Sequence, residues 1–280
     1  MEKQWTTVIE PKAPLLSIPV REIIKYRELI WTLVKRNYEV QYKQTILGPL
    51  WLIFNLIINS GIFSFVFGYV GNFATDGTPY FLFFMTGSVV WDFFANCFTS
   101  NTSVLMDNSY LFGKVYFPRL IMPISNILFN AIRNGIKFLV TLCVWLVFYL
   151  NGDVAFLSFR IVGIIPLALL AGVMGAALGM IVSCLTIKYR DFTHITGLAI
   201  TVLMYISPVM YTTAQLPQFV RRFVYLNPMS AIIEGFRYCI IGAGHLNHLA
   251  LVYSLVFTTV VGVIALVFFN QTEKNFIDII

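Results

Sequence analysis

The sequence predicts an all-α polytopic membrane protein with six transmembrane helices, and three observations carry that prediction. The composition is 58% hydrophobic and only 11% charged, with a mean hydropathy of +0.79. A soluble domain carries about a quarter charged residues. A bilayer core needs roughly 20 apolar residues in a helix, and six stretches meet that length: 46–70, 80–106, 120–150, 161–187, 192–211 and 249–269. The basic residues then fall on alternate connections. With the N-terminus inside, thirteen Lys and Arg lie in cytoplasmic segments against four outside, Arg160, Arg221, Arg222 and Arg237. That asymmetry satisfies the positive-inside rule and puts both termini in the cytoplasm.

The same placement disposes of a nucleic-acid role for the net charge of +6. Eight of the basic residues precede the first apolar run, among them Arg36 and Lys43, as on a cytoplasmic flank. No short apolar core followed by a small-residue cleavage site occurs before Leu50, so the first span is expected to act as its own targeting signal. Cys97, Cys143, Cys184 and Cys239 are far apart, in or near apolar runs, and read as small membrane hydrophobes.

Two units follow. Residues 1–45 form a cytoplasmic lead and an amphipathic interface helix; 46–280 form the six-helix domain. In the stretch 21–42, Ile23, Tyr26, Ile30 and Leu33 recur at helical spacing with charges mostly elsewhere. Such a helix lies along a membrane interface or packs on a partner. Between spans five and six, 217–226 and 228–241 both read as short helices. Each begins with proline, the favoured first position, and Asn227 is placed to cap the second. At 1.5 Å per residue they reach about 15 and 21 Å. They are expected as external surface helices or a re-entrant pair, which is tolerated only beside protein or water.

Polar residues inside spans face protein or a wet cavity. Span one carries Asn55 and Asn59 in line with Trp51 and Phe63. Span two carries Ser88, Asp92, Asn96, Thr99 and Ser103, and span three Asn126, Asn130, Arg133 and Lys137. Arg133 and Lys137 either snorkel to headgroups or line a wet cavity that holds an anionic group. Ala171, Gly175, Gly179 and Ser183 form a small-residue ridge on span four, read as helix packing. No catalytic constellation stands out. There is no HExxH motif and no GxxxxGK[ST] loop; His245 and His248 have no partner ligands near them, so no metal site is expected.

Several segments resemble one family. Tyr42-Lys43-Gln44-Thr45-Ile46-Leu47-Gly48-Pro49-Leu50-Trp51 enters span one, and Lys114-Val115-Tyr116-Phe117-Pro118-Arg119 fills the first cytoplasmic loop. Lys188-Tyr189-Arg190-Asp191-Phe192, Ser207-Pro208-Val209-Met210-Tyr211, Asn227-Pro228-Met229 and Glu273-Lys274-Asn275-Phe276-Ile277-Asp278 follow in order. Together, over nearly the whole chain, they resemble the permease subunit of ABC-2-type polysaccharide exporters, which serve O-antigen, capsule and teichoic acid export. The resemblance implies a bacterial inner-membrane location and two permease copies with two separate ATPase subunits that bind ATP and Mg. It also implies a lipid-linked polysaccharide cargo, commonly on undecaprenyl diphosphate. It assigns coupling to the ATPase to Lys114, Tyr116, Phe117, Pro118 and Arg119, and lipid-diphosphate binding to Arg36, Lys43 and Arg133. Trp51, Asn55, Trp91, Asp92, Phe94 and Tyr205 would line the conduit, and Tyr211, Pro217 and Asn227 the external gate. The stretch before Arg21, with Pro11, Pro14 and Pro19, forms an extended lead. The competing readings are a membrane enzyme acting on lipid-linked sugars, for which an acid–base pair or metal site is missing, and an ion-coupled transporter, for which Asp92 is the only deep carboxylate.

Overall fold

The computed structural model describes residues 20–112, 117–156, 159–244 and 246–275. The proline-bearing lead, Lys114, Tyr116, His245 and the end of the closing motif lie outside the described residues. The helices run in the order α1 (Val20–Lys25), α2 (Arg27–Tyr42), α3 (Leu50–Phe63), α4 (Tyr80–Thr102), α5 (Val104–Asp107), α6 (Ser109–Phe112), α7 (Ile121–Leu150), α8 (Ile164–Thr186), α9 (Phe192–Ile206), α10 (Gln218–Leu226), α11 (Pro228–Ile241) and α12 (His248–Asn275). Among the described residues there is no strand.

Five helical stretches are long and apolar enough to cross a membrane: Leu50–Val70, Tyr80–Thr102, Ile121–Leu150, Phe159–Thr186 and His248–Thr272. The fifth expected span is shorter. α9 stops at Ile206 after 15 residues, about 22 Å of helix against a hydrocarbon core of about 30 Å. The cause is Pro208, whose ring disfavours helical geometry in the residue before it. Ser207 accordingly takes φ −80° and ψ 146°. The first span starts at Leu50 rather than at 46, because Gly48 sits at φ +49° and Pro49 precedes the first turn. Its last seven residues, Ser64–Val70, widen into a π-helix.

α4 is the centre of the bundle. Apart from one polar stripe its surface is apolar, and such a helix belongs inside: Phe83, Phe84, Trp91, Phe93, Phe94 and Phe98 are all buried. α8 lies along it, and α12 and α11 pack on α8 in turn. Lipid tails are as apolar as leucine, so water exclusion does not drive this packing; close van der Waals approach does. The ridge on α8 supplies that approach. A Cβ at Gly175 would collide with the Phe94 carbonyl oxygen, and one at Gly179 would stand 2.5 Å from that of Phe98. Ser183, at the end of the ridge, accepts a 3.2 Å hydrogen bond from the Leu105 N–H.

The amphipathic helix expected over 21–42 is two pieces, α1 and α2, broken at Tyr26 (φ −91°, ψ 19°). Ile30, Leu33 and Val34 are buried and α2 packs along α7. Its apolar stripe therefore meets protein, while Ile24, Trp31 and Val40 stay exposed on the faces left over.

Candidate functional site

The polar stripes of the second and third spans meet each other. Lys137 on α7 forms an ion pair with the Asp92 carboxylate on α4. One turn further along α4 and two along α7, the Asn130 amide donates to the Asn96 carbonyl (3.2 Å) and to Ser100 Oγ (2.9 Å). Asn126 donates to the Ser100 carbonyl (2.8 Å) and to Asn101 Oδ1 (3.3 Å). α2 joins the end of this ladder, with Asn37 donating to Asn126 Oδ1 (3.1 Å) and Arg36 to Asn108 Oδ1 (3.3 Å). Helical spacing on both partners puts the rungs in step. Each rung satisfies groups that hydrocarbon would leave unpaired.

This corrects part of the cavity reading. Lys137 is 9% exposed and its charge is neutralised by Asp92, so it is not free to hold an anion. Arg133 differs. One of its Nη atoms donates to Asn130 Oδ1 (3.3 Å) and its guanidinium lies 5.5 Å from the Phe129 ring centroid. Its Nε is buried without a partner. Lys43 and Arg36 are exposed.

A second constellation closes the far end of α4. Breaking α9 at Pro208 leaves a run of carbonyls, buried from Ser207 to Met210, which must find donors. Tyr211 Oη donates to the Ile206 carbonyl (2.5 Å). Arg237 on α11 donates to those of Pro208 (2.9 Å) and Val209 (3.1 Å), and the Tyr80 hydroxyl to that of Met210. Asn227 donates to Ser207 Oγ (2.8 Å) and accepts from the Met229 N–H (3.0 Å) as the expected cap. The Arg237 guanidinium stacks 3.6 Å from the Phe83 ring centroid. Gly87 makes room for it: a Cβ there would stand 2.7 Å from Arg237 Nη2. Burial pulls the Arg237 pKa down to about 10, opposed chiefly by the Glu234 charge, so it is protonated at neutral pH. Glu234, also buried, accepts from Thr213 Oγ1 and from Tyr225 Oη (2.8 Å). It thereby ties the loop before α10, and α10 itself, to α11. Arg237→Lys keeps the charge but loses the two-carbonyl fork. Its expected cost is about 2 kcal/mol, read as a lower thermal midpoint in detergent.

The remaining candidates separate into surface and interior. Trp51, Asn55 and Tyr205 are exposed on α3 and α9, whereas Trp91 (2% exposed) and Phe94 (3%) lie inside the core. Those two rings pack against the bundle and do not line a surface of this chain, because α4 is enclosed by its neighbours. Phe117 is buried with Val104, Leu105 and Ile121, which makes it the anchor of its corner; Pro118 and Arg119 are half-buried. Pro217 is the residue before α10 and is exposed. α11 is not a surface helix: twelve of its residues are buried. The residues that sequence reasoning missed are Glu234 and Arg237. Charges three apart in the apolar run Ala231-Ile232-Ile233-Glu234-Gly235-Phe236-Arg237 were the signal. Among the described residues no group of three His, Cys, Asp or Glu converges as metal ligands would.

Long apolar helices around a buried α4, a polar ladder and a fifth helix cut short at Pro208 define a multi-pass helical membrane domain. Residues 28–241 match the ABC-2 type transporter family, and the chain belongs to it. The chain is similar to the O-antigen export system permease protein RfbA of Klebsiella pneumoniae, with 27% identity over 255 residues covering 90% of this chain and 95% of that protein. A protein of the same name from Myxococcus xanthus is 24% identical over 220 residues, covering 78% of this chain and 82% of its own length.

Proposed function

We propose that this chain is the transmembrane permease subunit of an ATP-driven exporter. It moves a lipid-linked polysaccharide of the O-antigen type across the bacterial inner membrane. Two copies work with two ATPase subunits, and ATP and Mg are bound by those partners. The observation that carries the reading is the exposed face of α3. Asn55 and Asn59 lie open there beside Trp51, Phe54, Ile58 and Ile62, on a helix long and apolar enough to cross a membrane. Amides in that position need protein or water beside them, as they would have at a conduit completed by a second copy. Family membership and the O-antigen export names of the relatives support the cargo.

In this reading α9, lengthened by the extended run after Ile206, is the fifth of six crossings, and both termini are cytoplasmic. Arg36, Lys43 and Arg133 hold the carrier diphosphate, for which guanidinium groups suit bidentate hydrogen bonding. Trp51, Asn55 and Tyr205 face the cargo. Pro118 and Arg119, with the segment carrying Lys114 and Tyr116, receive force from the ATPase around the Phe117 anchor. Tyr211, Pro217 and Asn227 hold the external gate.

Purification with the neighbouring gene products tests this. A stoichiometric ATPase whose turnover rises with lipid-linked glycan is expected; export that continues without any ATPase overturns it. Reversing Arg36 and Arg133 together to glutamate is expected to abolish export while the protein still inserts. Unchanged export in that variant removes both from the diphosphate site.

A further inference from the structure

α10 presents two unlike sides. Its nine residues run between Pro217 and Asn227 and give about 14 Å of helix, too short to cross roughly 30 Å of hydrocarbon. Residues three and four apart share a helical face. On one face Val224 is buried, Arg221 donates to the carbonyls of Thr213 (2.9 Å) and Ala214, and Tyr225 donates to Glu234 (2.8 Å). That face is committed to the protein. Phe219, Phe223 and Leu226 make the opposite stripe and are 72%, 55% and 63% exposed. The two rings stand edge to face, with centroids 4.8 Å apart. Arg222 runs along the edge of the stripe and is exposed. Among the described residues it has no hydrogen-bond or ion-pair partner.

Beside Arg222, α10 leaves a groove of about 490 Å³ against the start of α12, lined by Gln218, Arg221, Arg222, Asn247, Ala250 and Tyr253 among others. Its charged groups are the two guanidiniums, and no described carboxylate lines it. The far wall belongs to α12, which is long and apolar enough to cross a membrane and leaves Leu249, Val252, Tyr253 and Val256 exposed. Tyr253 lies within the first two turns of α12. Its hydroxyl donates to the Leu226 carbonyl (3.0 Å) and pins the end of α10 there.

Depth and charge decide what covers this surface. The exposed apolar face of α12 meets acyl chains, so the bilayer surface begins near its first turns, where α10 is held. A short helix at that level with an apolar stripe and an arginine along its edge seats the stripe at the acyl boundary and the cation among the headgroups. Two guanidiniums without a carboxylate favour phosphate, which they hold by charge-assisted hydrogen bonds; the amides of Gln218 and Asn247 add donors. A protein partner on the same stripe would have to desolvate Arg222, which is costly unless it also brings an anion. A phospholipid brings one at the right depth.

We infer that α10 is a membrane-surface helix whose groove against α12 holds the phosphate headgroup of an anionic phospholipid, with acyl chains along Phe219, Phe223 and the exposed face of α12. The inference concerns the lipid around the chain and holds whatever cargo the chain moves.

The test uses the full chain in detergent with Phe223→Trp as a local reporter, its emission taken as the difference from the parent. The probes are phosphatidylglycerol and phosphatidylcholine with brominated acyl chains. Saturable quenching is expected from both, with the lower midpoint for phosphatidylglycerol. Adding Arg222→Gln is expected to raise the phosphatidylglycerol midpoint about tenfold, for one lost charge-assisted hydrogen bond, and to leave the thermal midpoint unchanged, because this side chain has no protein partner to lose. An excess of inorganic phosphate is expected not to relieve the quenching. Emission that neither lipid quenches, a midpoint indifferent to Arg222→Gln, or relief by free phosphate overturns the inference. Unquenched emission from an oligomer that Phe223→Ser dissociates would assign the stripe to a second copy instead. The readout involves neither cargo nor ATPase, so its failure leaves the export reading standing.

Discussion

Lys137→Met is expected to destabilise the folded protein by about 3 kcal/mol. Removing one partner of a buried ion pair typically costs 3–5 kcal/mol, because the charge left behind is uncompensated. The lower figure applies because the Asp92 side chain keeps 33% of its exposure against 11% for Lys137. The double change Asp92→Leu with Lys137→Met removes both charges and is expected to recover most of the loss, since apolar replacement of both members is often neutral. A thermal-midpoint double-mutant cycle in detergent reads this directly. A single variant as stable as the parent would mean that Asp92 is solvated, and would return the α4–α7 seam to a wet cavity. Transport has its own outcome: if the pair is only structural, the double variant exports.

Gly179→Ala is the second large effect, expected at about 3 kcal/mol. One methyl group there meets backbone, 2.5 Å from the Phe98 carbonyl oxygen and 2.8 Å from Asn101 Cβ. Backbone cannot swing aside as the tip of a side chain can, so α8 must move off α4. Overpacking a tight site costs about 1–3 kcal/mol, occasionally more, and this seam is the axis on which the rest packs. Gly175→Ala is expected to behave alike. Gly135→Ala and Gly61→Ala meet nothing within 4 Å, and replacing glycine in a helix by alanine gains roughly 0.5–1 kcal/mol. Those two variants should express and melt at or above the parent. Equal damage from all four would show that glycine matters here through the helix itself and not through the α4–α8 contact.

Much of this was legible along the chain because its signals are local. Length and hydropathy mark a crossing helix without reference to its neighbours, and the ridge at Ala171, Gly175, Gly179 and Ser183 declares a packing face by its spacing alone. Asn227 before Pro228 announces a cap for the same reason. The burial of Trp91 and Phe94 was not legible, because an aromatic ring in a span has the same sequence appearance whether it faces lipid, cargo or another helix. Only the enclosure of α4 separates these. The choice between snorkelling and a wet cavity stayed open for Lys137 because its partner Asp92 is 45 residues away, on another helix. Glu234 and Arg237 were passed over because a short helix reads as surface, where charges are ordinary; twelve buried residues on α11 make the same charges costly unless paired.

What the sequence by itself determined is therefore the class: a helical membrane domain whose spans, breaks and caps follow from residues a few positions apart, with Pro208 ending α9 and Gly48-Pro49 delaying α3. Tertiary structure alone decided which polar groups are spent on holding the bundle and which are left exposed. Asp92, Asn126 and Asn130 are paired across α4 and α7, while Asn55 on α3 is left exposed. The physical reason is that a polar group in hydrocarbon is satisfied by whatever donor or acceptor the fold brings within about 3 Å, and that distance is set by helix packing, not by the order of the chain.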